Sequence, residues 1–296
     1  MVARAAWVLN FDAEDELRVG PTYAPPNDMR PRLHSLRERV RALTGDDAVF
    51  VDPDGPPPTE AAGLVGYMWC PTPRAIAALD RAGTVRAPTP SVDVVRRVND
   101  RRFHHALGAP LAGSRWMTNA GEILALTAGG RWLLKRALGF AGRGRLACGE
   151  GVDARSFVAR AIREDGGVAV EPHVEVLLDV SIHGYLDAAG SLTLGRPVAS
   201  QIKGGTWQGV SETPPDLLET EVASLVSDAT STAAALTREG YFGPFNLDAF
   251  RYVDRDGNGQ FCPRCEINAR FSMGFGAGWG RFPGVPAGRS SAIIAR

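Results

Sequence analysis

Residues 240–274, GYFGPFNLDAFRYVDRDGNGQFCPRCEINARFSMG, constrain this chain more than any other stretch. Two runs rich in aromatic and branched residues, 244–253 and 260–270, flank the turn signal DRDGNG, which predicts a β-hairpin. Side chains alternate across a strand, so Asn246 and Asp248 share one face, and Glu266, Asn268 and Arg270 share another. If the strands pair, two carboxylates, a carboxamide and a guanidinium converge on one surface. Hard oxygen ligands of this kind suit Mg²⁺ held together with substrate phosphates, and an adjacent Arg suits a developing phosphoryl charge. The hairpin therefore points to phosphate chemistry.

Two other motifs overlap it. Asp254, Asp256, Asn258 and Gly259 match the start of an EF-hand loop, but position twelve is Cys265 and Glu266 arrives one residue late. Cys262 and Cys265 form a CxxC, yet Cys70 and Cys148 stand alone and supply no second ligand pair for zinc. These thiols read as ordinary strand cysteines. With so few, a disulfide scaffold is not expected, and free thiols point to a reducing compartment. Lys and Arg together number 33, as do Asp and Glu, so the chain is formally neutral and has no electrostatic reason to bind nucleic acid or an anionic membrane. The first residues hold too short an apolar run for a signal peptide, and no segment reaches the roughly 20 apolar residues that span a bilayer. A cytoplasmic protein is expected, one able to form a homodimer.

The first hundred residues alternate strand and helix patterns. Strands are expected at 7–10, 46–51 and 64–69, a helix at 32–43, and a second helix opening at Thr72 as N-cap with Pro73 at its first position. Such alternation implies a doubly wound α/β unit. A basic helix follows in NDRRFHHAL. The segment GGRWLLKRALGFAGRGRLACGEG then reads as strand, glycine-rich loop and strand, with Lys135 in the first strand and Arg143 in the loop. Flexible glycines let backbone N–H groups approach an anion, although a plain hairpin turn with solvated arginines accounts for the loop equally well. It is neither a Walker A loop nor GxGxxG. After a helix at SFVARAIRE, two antiparallel strands carry Glu171 and Asp179, which without further context would be exposed strand or turn acids.

The order of these elements resembles the ATP-grasp superfamily over most of the chain. The resemblance implies an α/β protein (α+β in the ATP-binding part) with an N-terminal doubly wound pre-ATP-grasp domain. Its expected divisions are a Rossmann-like domain at 1–98, a linker helix and flap subdomain at 99–173, and a C-terminal subdomain with the metal site at 174–296. It implies nucleotide contacts from Lys135, from Gly142, Arg143 and Gly144 in the flap loop, from Glu171 and Val174 at an adenine hinge, and from Asp179 at the ribose. Asp248, Glu266 and Asn268 would hold metal. Arg101 or Arg102 matches a cation that relatives place before the flap. Lys203 would reach the phosphates, or else be a solvated loop lysine. The E-x-N-x-R form ending at Arg270 looks more like the carboxylase and carbamoyl-phosphate branches than the D-alanine ligase branch.

The activity so implied is an ATP- and Mg²⁺-dependent ligase, with two ions expected and Mn²⁺ able to substitute. It would activate a small carboxylic acid or amino acid as an acyl phosphate and join it to an amine. Lys203 and Arg270 would act on the transferring group. A thiol or bicarbonate acceptor, or a nucleotide-binding regulator without turnover, are the alternatives. Trp207, Trp279 and Arg281 either line an acceptor pocket or pack on mobile loops.

Overall fold

The computed structural model describes residues 4–27, 35–139, 142–203, 206–211 and 213–282, and gives the backbone alone for 202, 203 and 206. Three sheets organise it. The first is parallel, in the order β2-β1-β3-β4, built from β1 (Ala5–Val8), β2 (Val49–Phe50), β3 (Val65–Met68) and β4 (Val85–Arg86). Its connections carry α1 (Ala13–Val19), α2 (Arg41–Thr44) and α3 (Pro73–Arg81). The N-cap read from the sequence forms: the Thr72 hydroxyl accepts from the Ala75 N–H, with Pro73 just inside the helix. The helix expected over 32–43 is interrupted among the described residues, with Ser35 helical. Residues 32–34 lie outside the described residues, and a 3-10 turn at Glu38–Val40 precedes the single turn of α2, which Gly45 ends at φ +83°.

Two helices follow, α4 (Val92–Asn99) and α5 (Arg101–Ala106). The Asp100 side chain caps α5 by accepting from the Arg102 N–H at 2.8 Å. The second sheet is small and antiparallel, in the order β5-β8-β6-β7, from β5 (Arg115–Met117), β6 (Trp132–Lys135), β7 (Arg145–Cys148) and β8 (Val168–Pro172). Helices α6 (Ala120–Ala128) and α7 (Arg155–Asp165) cover it. β6 and β7 pair around the glycine-rich loop as the sequence predicts, although residues 140 and 141 lie outside the described residues.

The third sheet is the largest. Its main path is β12-β11-β9-β13-β14, with β10 pairing β9. These strands are β9 (Glu175–Leu186), β10 (Leu192–Leu194), β11 (Val198–Lys203), β12 (Thr206–Val210), β13 (Gly243–Val253) and β14 (Gly259–Asn268). Helix α8 (Glu219–Arg238) packs on it, and the short α9 (Phe275–Trp279) follows β14. One buried core joins Trp7 and Trp69 of the parallel unit to Ile182, Phe245, Leu247 and Phe271 of the large sheet. The small middle sheet has its own core, from Ile123, Leu134, Val158 and Val168. Among the described residues no helix is long and apolar enough to cross a membrane.

Candidate active site

The expected hairpin forms from β13 and β14, and its register decides the site. Asn246 lies opposite Asn268, and Asp248 opposite Glu266, so all four occupy one face. Beyond Asp248 the ladder shifts register, an irregularity with no counterpart in the alternation of the sequence. On the other side of β13, β9 places Ser181 beside Asp248. The Asp248 carboxylate is then crowded with donors: Ser181 Oγ at 2.7 Å and Asn246 Nδ2 at 2.8 Å on Oδ1, and Asn268 Nδ2 at 3.0 Å on Oδ2. Asn246 Oδ1 is buried with no hydrogen-bond partner.

The two facing carboxylates titrate in opposite directions. Burial, and then the Glu266 charge, push Asp248 up to about 6 against the pull of its hydrogen bonds. Burial acts on Glu266 the same way, but Arg101, Lys135 and His104 outweigh it and hold that carboxyl down at about 2. Arg101 ion-pairs directly with Glu266 and donates to the Arg136 carbonyl at 2.6 Å. Lys135 ion-pairs with Glu171 at 2.7 Å. Burial alone would lower the lysine's pKa, yet Glu171 and Glu266 raise it, so it stays an ammonium. Glu171 is buried rather than an exposed strand acid, and His105 lies 4.0 Å from it.

Arg270 is enclosed. It ion-pairs with Glu14, donates to the Phe271 carbonyl at 2.8 Å and to Asn268 Oδ1 at 3.0 Å, and sits over the Trp69 ring at 5.9 Å. Burial acts first to raise the Glu14 pKa, and the Arg270 charge opposes it. Asn99 anchors the segment after β14, accepting from the Ala269 N–H at 2.9 Å and donating to the Ala269 carbonyl at 3.3 Å.

The structure thus brings Lys135, Arg101, Glu171, Asp248, Glu266, Asn268 and Arg270 into one connected cluster. Asp179 stands two residues before Ser181 on β9, on the same face, with its pKa raised by burial. Val174 lies between β8 and β9. Gly142 and Gly144 take φ of +78° and +69° on either side of Arg143 in the β6–β7 loop. Lys203 ends β11 opposite Thr206, and its side chain lies outside the described residues. Trp207, Trp279 and Arg281 separate. Trp279 packs on Phe275 and Tyr185, Arg281 pairs with Asp47, and Trp207 lines a cavity.

Sequence reasoning missed Glu14, Ser181 and Asn99. Glu14 carried a usable signal, since it lies just past the carboxyl end of the first parallel strand, where α/β sheets place ligand groups. Ser181 and Asn99 could be found only from strand pairing and helix docking.

Among the described residues no three His, Cys, Asp or Glu side chains cluster as a metal site. What the cleft offers is two carboxylates and carboxamide oxygens, a hard donor set suited to a cation that completes its shell with phosphate oxygens and water. The four cysteines are free thiols, and Cys262 Sγ lies 3.1 Å from the Pro110 carbonyl. The EF-hand-like turn satisfies itself, Asp254 accepting from the Asp256 and Asn258 N–H groups.

No family model matches the sequence, and no curated protein matches it in sequence. Solved structures do match. N5-carboxyaminoimidazole synthetase from Staphylococcus aureus, complexed with ADP, superposes with a TM-score of 0.52 at 10% identity, over 91% of this chain and 71% of that one. Biotin carboxylase from Campylobacter jejuni, a β-γ-ATP complex, gives 0.56 at 13% identity over 92% and 67%. D-alanyl-alanine synthetase A from Vibrio cholerae O1 biovar eltor gives 0.53 at 13% identity over 95% and 96%. These are ATP-grasp enzymes, and the chain has the ATP-grasp fold.

Proposed function

We propose, from the ATP-grasp fold and the cluster around Asp248 and Glu266, that the chain is an ATP- and Mg²⁺-dependent ligase that activates a carboxylate as an acyl phosphate and joins it to an amine. One observation carries the reading. Two carboxylates face each other across the β13–β14 ladder, with Arg101 and Lys135 beside Glu266. The residues fit a hard divalent cation. Like charges crowd the pair, and the buried Asn246 Oδ1 lacks a donor that a metal-bound water would supply. Asp248, Glu266 and Asn268 would hold the metal, which neutralises phosphate charge when bound.

The remaining work falls to side chains. Lys135 stays charged in its buried ion pair and neutralises the nucleotide phosphates. Arg101, now paired with Glu266, would be free to turn its guanidinium to the phosphates once Glu266 held the metal. Gly142 and Gly144 let the β6–β7 backbone close on them. Glu171 and Val174 take the adenine edge, and Asp179 the ribose. Arg270, held rigid by Glu14, presents its charge to the carboxylate as the γ-phosphoryl group arrives, and Lys203 assists from β11. The amine then displaces phosphate from the acyl carbon, leaving ADP and phosphate as co-products. The divisions 1–98, 99–173 and 174–296 and a reducing, cytoplasmic setting belong to the same proposal.

The test is to incubate the protein with ATP, Mg²⁺ and pools of amino acids and small carboxylic acids, with hydroxylamine as trap. Hydroxamate and ADP are expected together. AMP in place of ADP would overturn the acyl phosphate in favour of adenylation.

A further inference from the structure

We infer that the amine acceptor is a short peptide ending in an aliphatic or aromatic residue, whose side chain seats in a cavity between α2 and β12; this rests on the ligase reading above. The cavity has a volume of about 350 Å³ and is walled by Val40, Leu43, Trp207, Val210, Met273 and Ala277. Most of its lining side chains are apolar, with Arg39 and Gln208 adding polar groups, so it suits an occupant with an apolar side chain and a polar end. A 150 Å³ cavity is roughly enough for benzene, so a leucine or phenylalanine side chain fits with room for backbone.

The strand register places this cavity on the reacting face. Asp248 lies beside Ser181 on β9, Asp179 of β9 lies opposite Ser200 on β11, and Ser200 lies opposite Val210 on β12. Trp207 opposes position 202, two residues on from Ser200. Val210 and Trp207 are three residues apart, and the register shift between positions 201 and 202 brings both to the side of the sheet that carries Asp248 and Ser181. The segment after β14 arches over the same face. A Cβ on Gly274 would come 3.1 Å from the His183 ring, and Gly276 lies against the backbone of α2. β12 and β13 are three strand spacings apart, about 14 Å. A ligand with one end in the cavity and the other at the phosphoryl site thus spans about 14 Å, roughly four extended residues.

Charge sets its direction. Arg39, at the cavity mouth, stacks over the Trp207 ring at 5.9 Å and donates to the Gln208 carbonyl at 3.3 Å. Its neighbour Arg41 pairs with Glu38 at 2.7 Å and Asp46 at 3.3 Å, whereas among the described residues no carboxylate pairs with Arg39. A peptide's C-terminal carboxylate satisfies that guanidinium, its last side chain fills the apolar cavity, and its α-amine runs back toward Asp248.

The probes are the dipeptides Gly-Leu, Gly-Phe, Gly-Lys and Gly-Glu, measured by ligand-observed NMR titration with and without Mg²⁺ and a non-hydrolysable ATP analogue. Gly-Leu and Gly-Phe are expected to bind about tenfold or more tightly than the charged pair. Ala277→Trp, which fills the cavity, is expected to abolish that preference, and Arg39→Ala, at an exposed position, to weaken all four peptides about fivefold or more. Both variants should keep the affinity for the ATP analogue. Equal binding of all four dipeptides, or an unchanged preference in Ala277→Trp, overturns the acceptor assignment while nucleotide binding stands. Loss of nucleotide binding by the unaltered protein overturns the ligase reading, and the nucleotide-free titration still decides the cavity.

Discussion

Asp248 and Glu266 face each other across one ladder yet are held in opposite states. Glu266 owes its depressed pKa to Arg101 and Lys135, while Asp248 is surrounded by neutral donors and feels Glu266 as a repulsion. Neutralising either acid without changing its shape should keep the hydrogen-bonded frame and remove metal charge neutralisation. Asp248→Asn and Glu266→Gln should therefore each lower turnover by about two orders of magnitude or more while the far-UV circular dichroism stays native. Near-normal ADP release from both would remove the metal assignment. Two other residues, His183 and His104, both buried with pKa values pushed down to about 3, weaken the fold in acid. His183 is fully buried, bonds Ser272 Oγ at 2.9 Å, and burial pushes its pKa down to about 3. Its unfolded value is about 6.5, so between those pH values the unfolded chain binds the extra proton and stability falls as pH falls. At pH 5 that is about 2 kcal/mol. Urea denaturation of His183→Gln should show a stability loss from pH 7.5 to 5 that is smaller by about that amount. Parallel pH profiles for the two proteins would show that His183 does not carry the effect.

At the scale of elements, β9 is the spine of the large sheet, and Gly184 shows how tightly it is packed. A Cβ there would lie 2.4 Å from the Phe245 ring, which is itself fully buried. Gly184→Ala must move that ring, so a loss of about 2 kcal/mol or more is expected by denaturant titration. A loss under 0.5 kcal/mol would show the core to be softer than its contacts imply. The same strand marks what the sequence could tell. Parity along 244–253 and 260–270 was enough to group Asn246 with Asp248 and Glu266 with Asn268, because alternation is written into local order, and the hairpin signal implied that the two groups meet. The register shift after Asp248, the insertion of β9 beside β13 and the resulting Ser181–Asp248 bond are long-range pairings, and no local pattern encodes them. The helix expected over 32–43 is interrupted among the described residues for a related reason. Its apolar spacing was real, and Val40 and Leu43 are buried, but a 3-10 turn and Gly45 leave α2 one turn long. Arg270 was legible as part of the hairpin's polar cluster, whereas Glu14, its partner from 256 positions away, was visible only as one acid in DAEDEL.

At the scale of the whole molecule, the two cores divide the labour. The parallel unit and the large sheet share one core, in which the Trp7 ring meets Phe271 at 5.2 Å and Tyr67 meets Phe282 at 5.2 Å. The face carrying Asp248 and Glu266, the Glu14–Arg270 pair and the cavity lined by Trp207 therefore lie on one packed body. The middle sheet has its own apolar core. It reaches the rest largely through α5, where Arg101 bonds the Arg136 carbonyl and Glu266, and Arg102 lies 5.7 Å from the Trp116 ring. A unit with a separate core and a polar attachment should open without unfolding its neighbour. Native-state hydrogen exchange should then find the amides of β6, β7 and β8 opening at a lower free energy than those of β9, β13 and β14. Mg²⁺ with an ATP analogue should raise protection chiefly in the middle sheet and α5, because a ligand bridging Lys135 and Asp248 ties the two bodies together. Uniform exchange across all three sheets, or protection confined to the large one, would mean that the cleft does not close on nucleotide through its smaller half.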